Sequence, residues 1–274
     1  MIVMKFGGTS VGSAERIRAV HDIVKSRLNR DPIVVVSAVG GITDKLINTA
    51  NLAFQGGDYS AVLNEIKEKH YAIIKELDLD NSLVQGKLDE FEQLIGRIAK
   101  YREVTTETMD LAQSFGERMS ARIVAAYMTK QGMKAEAHDA YDVGLITNDK
   151  FGGAEPLPES EEQMRMHLSD KKAIPIITVF IGKTSSGAIT TLGRGGSDYS
   201  AAIIGAALNA EEIQIWTDVN GMMTTDPKIV KEAKTIEKVS FNEAAELAYF
   251  GAKVLHPKTI LPAMRKNIPV RVLN

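Results

Sequence analysis

The chain of 274 residues contains no cysteine. Disulfide cross-links, thiolate nucleophiles and cysteine-ligated zinc are therefore excluded, and the absence fits a reducing compartment. Net charge is also nearly absent, at −2 from 33 Lys and Arg against 35 Asp and Glu. Neither nucleic acid nor an anionic membrane surface gains general electrostatic support from such a chain. No apolar run approaches the ~20 residues that a membrane helix requires. Only Met1 to Met4 precede Lys5, too few for the apolar core of a signal peptide. A soluble, cytoplasmic protein with no nucleic-acid and no membrane partner is expected. The G-x-x-x-x-G-K-[ST] spacing of a Walker loop is missing, as is G-x-G-x-x-G. Internal repeats and low-complexity segments are missing too.

What is present is an ordinary globular composition, 44% hydrophobic and 25% charged, long enough for one large α/β domain or two lobes. Ile2-Val3-Met4 and Pro32 to Val36 read as buried strands. Between them Ser13 stands as a candidate N-cap before a helical face of Ile17, Val20, Ile23 and Val24. Strand, helix, strand in that order implies a parallel βαβ unit, and ligands in such sheets bind at the carboxyl ends of the strands. Gly7, Gly8 and Ser37 fall there. Residues 41–130 are mostly helical in pattern. Val84, Leu88, Phe91, Ile95 and Ile98 form an apolar stripe that suits packing between paired helices. Further strands are predicted at Ile174–Phe180, Ala188–Thr191, Ile213–Trp216 and Pro269–Val272, and helices at Ser197–Leu208, Phe241–Phe250 and Lys258–Arg265. Gly144–Ser160 reads as a long loop. It is either a boundary between approximate lobes over residues 1–150 and 151–274 or merely an exposed connection. The fold class is α/β, with a helical excursion in the N-terminal half.

Two glycine clusters carry the chemistry. Lys5-Phe6-Gly7-Gly8-Thr9-Ser10 and Thr190-Thr191-Leu192-Gly193-Arg194-Gly195-Gly196-Ser197-Asp198 each separate a β-like run from a helix-like run. Such turns present bare backbone N–H groups at a helix N-terminus, where anions are stabilised. Glycine lets the backbone approach a phosphate without a Cβ in the way. Lys5 adds a mobile charge, and Arg194 has the fork geometry for a carboxylate or phosphate. Two such turns suggest a polyphosphate held from two sides, and phosphoryl transfer needs chiefly positioning and charge neutralisation. Asp198 either caps its helix or organises cations; the residues alone leave both open. From the residues alone, Glu117 and Arg118 read better as a surface helix pair. His138-Asp139 and His167 read as ordinary polar positions, Glu243 and Glu246 as a solvated face, and His256-Pro257 as a segment end.

Six segments together resemble the aspartokinases of the amino-acid kinase family. They are Lys5 to Ser10, Ser114-Phe115-Gly116-Glu117-Arg118, Thr191 to Ser200, Trp216-Thr217-Asp218-Val219, Thr225-Asp226-Pro227, and Phe250-Gly251-Ala252-Lys253-Val254-Leu255-His256-Pro257. They occur in the family's order and cover essentially the whole chain. The resemblance implies a three-layer sandwich with a central, mostly parallel sheet of the carbamate kinase-like type. It implies transfer of phosphate from ATP, accompanied by Mg2+, to L-aspartate. Lys5, Asp198 and Lys253 match catalytic positions. Ser37, Thr43, Glu117, Arg194 and Ser197 match the aspartate pocket, with Glu117 on the ammonium and Arg194 on a carboxylate. Lys5, Phe6, Gly7, Gly8, Thr217, Asp218, Met223, Lys228 and Lys253 match the ATP site. Met223 stands where tyrosine is common and Lys228 where arginine is common; methionine still packs on a purine, and lysine keeps the charge without the fork.

The chemistry agrees with these roles. A β-carboxylate with an ordinary pKa of ~3.9 is already a nucleophile at neutral pH. No general base is needed, and none of the five histidines is assigned one. Magnesium is expected on the ATP phosphates rather than in a protein cage. A homodimer is expected from the family. No ACT regulatory module is recognised in these residues, so no amino-acid feedback site is expected within them; the alternatives are a naturally short enzyme, a catalytic part with its ACT region removed, or regulation from a separate chain. Competing readings are a sister kinase acting on glutamate, acetylglutamate, carbamate or a nucleoside monophosphate, and an inactive nucleotide-binding subunit.

Overall fold

A computed structural model describes residues 1–219, 221, 223–225, 230, 232–249 and 257–274. β1 (Ile2–Phe6) and β2 (Pro32–Val36) are buried at every position, as strands covered on both faces must be. Between them α1 (Ala14–Lys25) starts where predicted: the Arg16 N–H donates to the Ser13 hydroxyl at 3.2 Å. Four helices follow, α2 (Ile42–Gln55), α3 (Ser60–Glu76), α4 (Ser82–Tyr101) and α5 (Thr106–Lys130). The α4 stripe from Val84 to Ile98 is buried as expected, and Phe91 meets Phe115 of α5 with ring centroids 5.5 Å apart. Helix α5 is buried almost all round from Ser114 to Ala121, so it is an interior helix rather than an amphipathic cover.

β3 (Ala135–His138), β4 (Ile146–Thr147), α6 (Glu159–Leu168), β5 (Ile174–Thr178), β6 (Ile181–Thr184), β7 (Ile189–Thr191), α7 (Gly196–Ala207), β8 (Glu212–Trp216), α8 (Phe241–Tyr249), α9 (Pro257–Arg265) and β9 (Val270–Leu273) complete the described elements. The main sheet has six strands in the order β3-β5-β2-β1-β8-β9, with every pairing parallel. The pleat divides the core between two faces. Ile2, Met4, Phe6, Val34 and Val36 pack with α1, α2, α4 and α5, whereas Val3, Ile33, Val35, Ile213 and Ile215 pack with α6, α7 and α9. The result is the three-layer α/β sandwich, with β1 at its centre. No helix among the described residues is long and apolar enough to cross a membrane.

Two predicted segments differ. Ile174–Phe180 is not one strand: β5 ends at Thr178, and Phe180 has φ +70°. The Ile181 N–H closes back on the Val179 carbonyl at 2.8 Å, a γ-turn that a bulky residue enters only at a cost. The surroundings hold it there. The Phe180 N–H donates to the Ser200 hydroxyl at 2.8 Å, and its carbonyl accepts from the Leu192 N–H at 2.8 Å. The turn redirects the chain into a separate sheet, β4-β6-β7, in which β6 and β7 are antiparallel. Gly144–Ser160 is likewise more than a loop. It contains β4, a bridge between Thr147 and Pro156, and the first residues of α6. Phe250, the last residue of the predicted Phe241–Phe250 helix, lies outside the described residues.

Candidate active site

The carboxyl ends of β1, β2 and β8 meet at their loops. The Gly7 N–H donates to the Trp216 carbonyl at 3.4 Å, the Ser37 N–H to the Phe6 carbonyl at 3.1 Å, and the Gly40 N–H to the Gly8 carbonyl at 3.0 Å. Gly8 must be glycine, because a Cβ there would lie 2.9 Å from the Ala38 carbonyl oxygen. Lys5 is 8% exposed, and its Nζ lies 2.8 Å from Oδ1 of Asp198. The Ser37 hydroxyl donates to the Ser197 hydroxyl at 3.3 Å. Asp198 and Ser197 occupy the first turn of α7, which opens from Gly195 at φ +73°. A Cβ on Gly196 would meet the Phe180 ring at 2.7 Å, so that ring seats the helix start. The two glycine bends, nearly two hundred residues apart, therefore converge on one Lys5–Asp198 ion pair.

Glu117 approaches from α5. It is 3% exposed, and its Oε2 has no hydrogen-bond partner. Burial pushes its carboxyl up to about 8, against the lowering effect of backbone N–H groups that include Ala38. Its neighbour Gly116 is what lets α5 come this close, since a Cβ there would lie 2.7 Å from the Ala38 Cβ. Buried carboxylates without partners are costly and need a reason. A cationic group beside it would favour the ionised form.

Arg118 turns elsewhere. Its Nε meets Asp139 Oδ2 at 3.3 Å and its Nη2 meets Glu90 at 3.2 Å. Arg122 reaches Asp139 Oδ1 at 2.9 Å, and the Tyr141 hydroxyl donates to Oδ2 at 2.7 Å. Burial raises the Asp139 carboxyl, but Arg122, Tyr141 and Arg118 more than offset that and hold it below its usual range. Two readings are thereby corrected. Glu117 and Arg118 are both buried and do not form a surface pair, and Asp139 is the anion of a buried ionic network rather than an ordinary polar position.

The remaining positions are less tightly tied. Phe6 is fully buried and stacks on Trp216 at 6.0 Å, so it supports the glycine loop from beneath. Thr43 is half-buried in the first turn of α2. Thr217 and Asp218 follow β8, where the Thr217 hydroxyl donates to Asp218 at 3.2 Å. Met223 is half-buried and bridges to Thr235. Arg194 is exposed and makes no ion pair with any described residue. It lines a cavity of about 740 Å³ with Tyr199 and Arg265, and no hydrogen bond joins it to Lys5, Asp198 or Glu117. Lys228 and Lys253 lie outside the described residues, as do Asp226-Pro227 and Phe250 to His256. Sequence reasoning missed Asp110, a buried acid of α5 bonded to Thr191 and Gly152. Its only sequence signal is an acidic residue seven before Glu117.

A cation–carboxylate pair beneath converging glycine loops, at the carboxyl ends of a parallel sheet, is the arrangement of a phosphate-handling α/β enzyme. Residues 1–274 match the amino acid kinase family, and the chain belongs to that family. Within it the chain is similar to aspartokinases. It is 45% identical over 281 residues to the chloroplastic aspartokinase 1 of Arabidopsis thaliana, covering 99% of this chain and 49% of that protein. It is 39% identical over 277 residues to the lysine-sensitive aspartokinase 3 of Escherichia coli K12, covering 99% and 61%. It also superimposes on the crystal structure of E. coli aspartokinase III in complex with aspartate and ADP, with a TM-score of 0.87, 37% identity, and 99% and 61% of the two chains covered. The chain spans about half the length of three of the plant aspartokinases it matches, 49% to 52%.

Proposed function

We propose that the chain transfers the γ-phosphoryl group of ATP to the β-carboxylate of L-aspartate, giving L-4-aspartyl phosphate and ADP. This is the entry step to the aspartate-derived amino acids. The observation that carries the proposal is the meeting of Lys5 and Asp198 under the two glycine bends, with the unpartnered Oε2 of buried Glu117 on α5. The likeness to an aspartokinase whose crystals hold aspartate and ADP supports it.

In this reading the Gly7–Gly8 loop lets the backbone approach phosphate oxygens, with the Gly8 N–H as donor, and Lys5 neutralises charge on the phosphoryl group as it moves. Asp198 orients Lys5. Glu117 receives the substrate ammonium, whose approach favours the ionised carboxylate. Arg194 takes a substrate carboxylate, and Ser37, Ser197 and Thr43 offer hydroxyls beside it. Thr217, Asp218 and Met223 border the nucleotide, joined by Lys228 and Lys253. Residues 1–150 then supply most of the aspartate side and 151–274 most of the nucleotide side. Asp198, whose Oδ1 pairs with Lys5, fits a place near a phosphate-bound magnesium ion. Magnesium carried on ATP spreads the phosphate charge.

ADP release is measured with aspartate, glutamate, acetylglutamate, carbamate and UMP as acceptors, with hydroxylamine present to trap an acyl phosphate. Aspartate alone is expected to give both ADP and hydroxamate. Turnover with another acceptor in preference would replace the assignment, and nucleotide binding without turnover on any acceptor would indicate a binding subunit.

A further inference from the structure

We infer that Asp110 is a positioning residue that fixes the spacing between Glu117 and the bend carrying Arg194, and so sets the affinity for aspartate; the inference rests on the aspartate reading above. Asp110 belongs to α5 and is 1% exposed. Its Oδ2 accepts from the backbone N–H of Thr191 at 2.8 Å and of Gly152 at 2.9 Å, and its Oδ1 accepts from the Thr191 hydroxyl at 2.8 Å. It forms no ion pair among the described residues. Thr191 ends β7 and is the last fixed point before the Leu192–Gly195 bend. Its carbonyl is held in turn by the Ala154 N–H at 2.8 Å. Gly193 rests on the same turn, because a Cβ there would lie 2.9 Å from the Gly152 carbonyl. One buried carboxylate thus pins both supports of the Arg194 bend to α5.

The other end of the arrangement is on the same helix. Asp110 and Glu117 are seven residues apart, close to two turns, so they share a face about 10 Å apart along the axis. α5 is an interior helix and does not bend freely. It therefore acts as a rod with the ammonium acceptor at one point and the anchor of the Arg194 bend at another. The ammonium and α-carboxylate of aspartate sit on one carbon, so both must be met together. Releasing the bend removes one of two simultaneous contacts while leaving the Gly7–Gly8 loop untouched.

Steady-state kinetics of the whole chain, with aspartate and ATP varied separately, tests this. Asp110→Ala is expected to raise the aspartate KM at least about tenfold, with the ATP KM within about twofold of the parent. Asp110→Asn is expected to restore most of the loss. Its amide oxygen can accept from both N–H groups, and its NH2 can donate to the Thr191 hydroxyl, which reverses its role. Adding Thr191→Val removes that acceptor and is expected to abolish the rescue, a comparison that remains available if Asp110→Ala does not fold. Equal rises in both KM values, a fall in kcat alone, or an Asp110→Asn variant as poor as Asp110→Ala would each overturn the inference. A parent chain inactive on aspartate overturns the acceptor assignment and this inference together, whereas an active parent with those patterns overturns this inference alone.

Discussion

Replacing Glu117 with glutamine keeps the shape of the side chain and removes its ionisable proton. In the folded chain that proton is held up to about 8, against an ordinary 4.5 once the chain unfolds. Between these values the folded state binds more protons at this site than the unfolded state. Stability therefore falls as pH rises through the window. Each pH unit is worth about 1.4 kcal/mol at full difference, so the whole penalty is on the order of 5 kcal/mol above the upper pKa. Below the unfolded pKa it vanishes. The glutamine variant escapes the penalty, so parent and variant should be equally stable near pH 4.5 and diverge steadily towards pH 8, the variant being the more stable. Urea unfolding at several pH values, without aspartate, measures this, and taking the difference between the two proteins cancels every other titrating group. Aspartate binding provides a second reading: an ammonium that pairs with the ionised carboxylate must expel the proton near pH 7, so binding heats should depend on the buffer's ionisation enthalpy. Parallel stability curves across the window would refute the argument, whatever the variant's activity.

Three further outcomes are expected. Lys5→Ala should lower kcat by about two to three orders of magnitude, as loss of one charge-stabilising group does; calorimetry should find aspartate affinity largely kept, and near-parental turnover would end the assigned role. Gly8→Ala pushes a methyl to 2.9 Å from the Ala38 carbonyl, so the backbone must shift. A stability loss of about 1–3 kcal/mol is expected from such overpacking, seen in thermal melts together with a higher ATP KM. Asp139→Ala removes the buried carboxylate shared by Arg118 and Arg122, leaving Arg118 only Glu90 as an ionic partner. Breaking such a pair costs roughly 3 kcal/mol or more, and an unchanged urea midpoint would show the network to be energetically neutral.

The parts of this molecule that sequence exposes are those whose local physics and tertiary role coincide. Continuous apolar runs at Ile2–Met4 and Pro32–Val36 admit little but central parallel strands, and Ser13 is both a good cap and the observed one. Elements with weak local signals were hidden. β3, Ala-Glu-Ala-His, lacks β-branched residues and is a strand only because β5 pairs with it. Phe180 carries no mark of a left-handed conformation; Ser200, twenty residues on, imposes it. In the site, Lys5, Gly8 and Asp198 announce themselves by their glycine surroundings. Asp139 and Asp110 do not. Their importance comes from burial and from partners on other elements, which spacing cannot reveal. α6 was legible in principle, since Glu159, Glu161 and Glu162 precede Arg165 and His167 in the charge order a helix dipole favours.

The sheet order also governs how the chain reaches this shape. β1 lies between β2 and β8, and its register with β8 joins Ile2 to Glu212. A ribosome must deliver more than two hundred residues before the first strand gains its second neighbour. Until then the edge of a strand that is apolar but for Lys5 stands open to the cell. Non-local pairing of this kind is slow and aggregation-prone during synthesis. The helices from α2 to α5, built on short-range contacts, are the part able to condense early and wait for it.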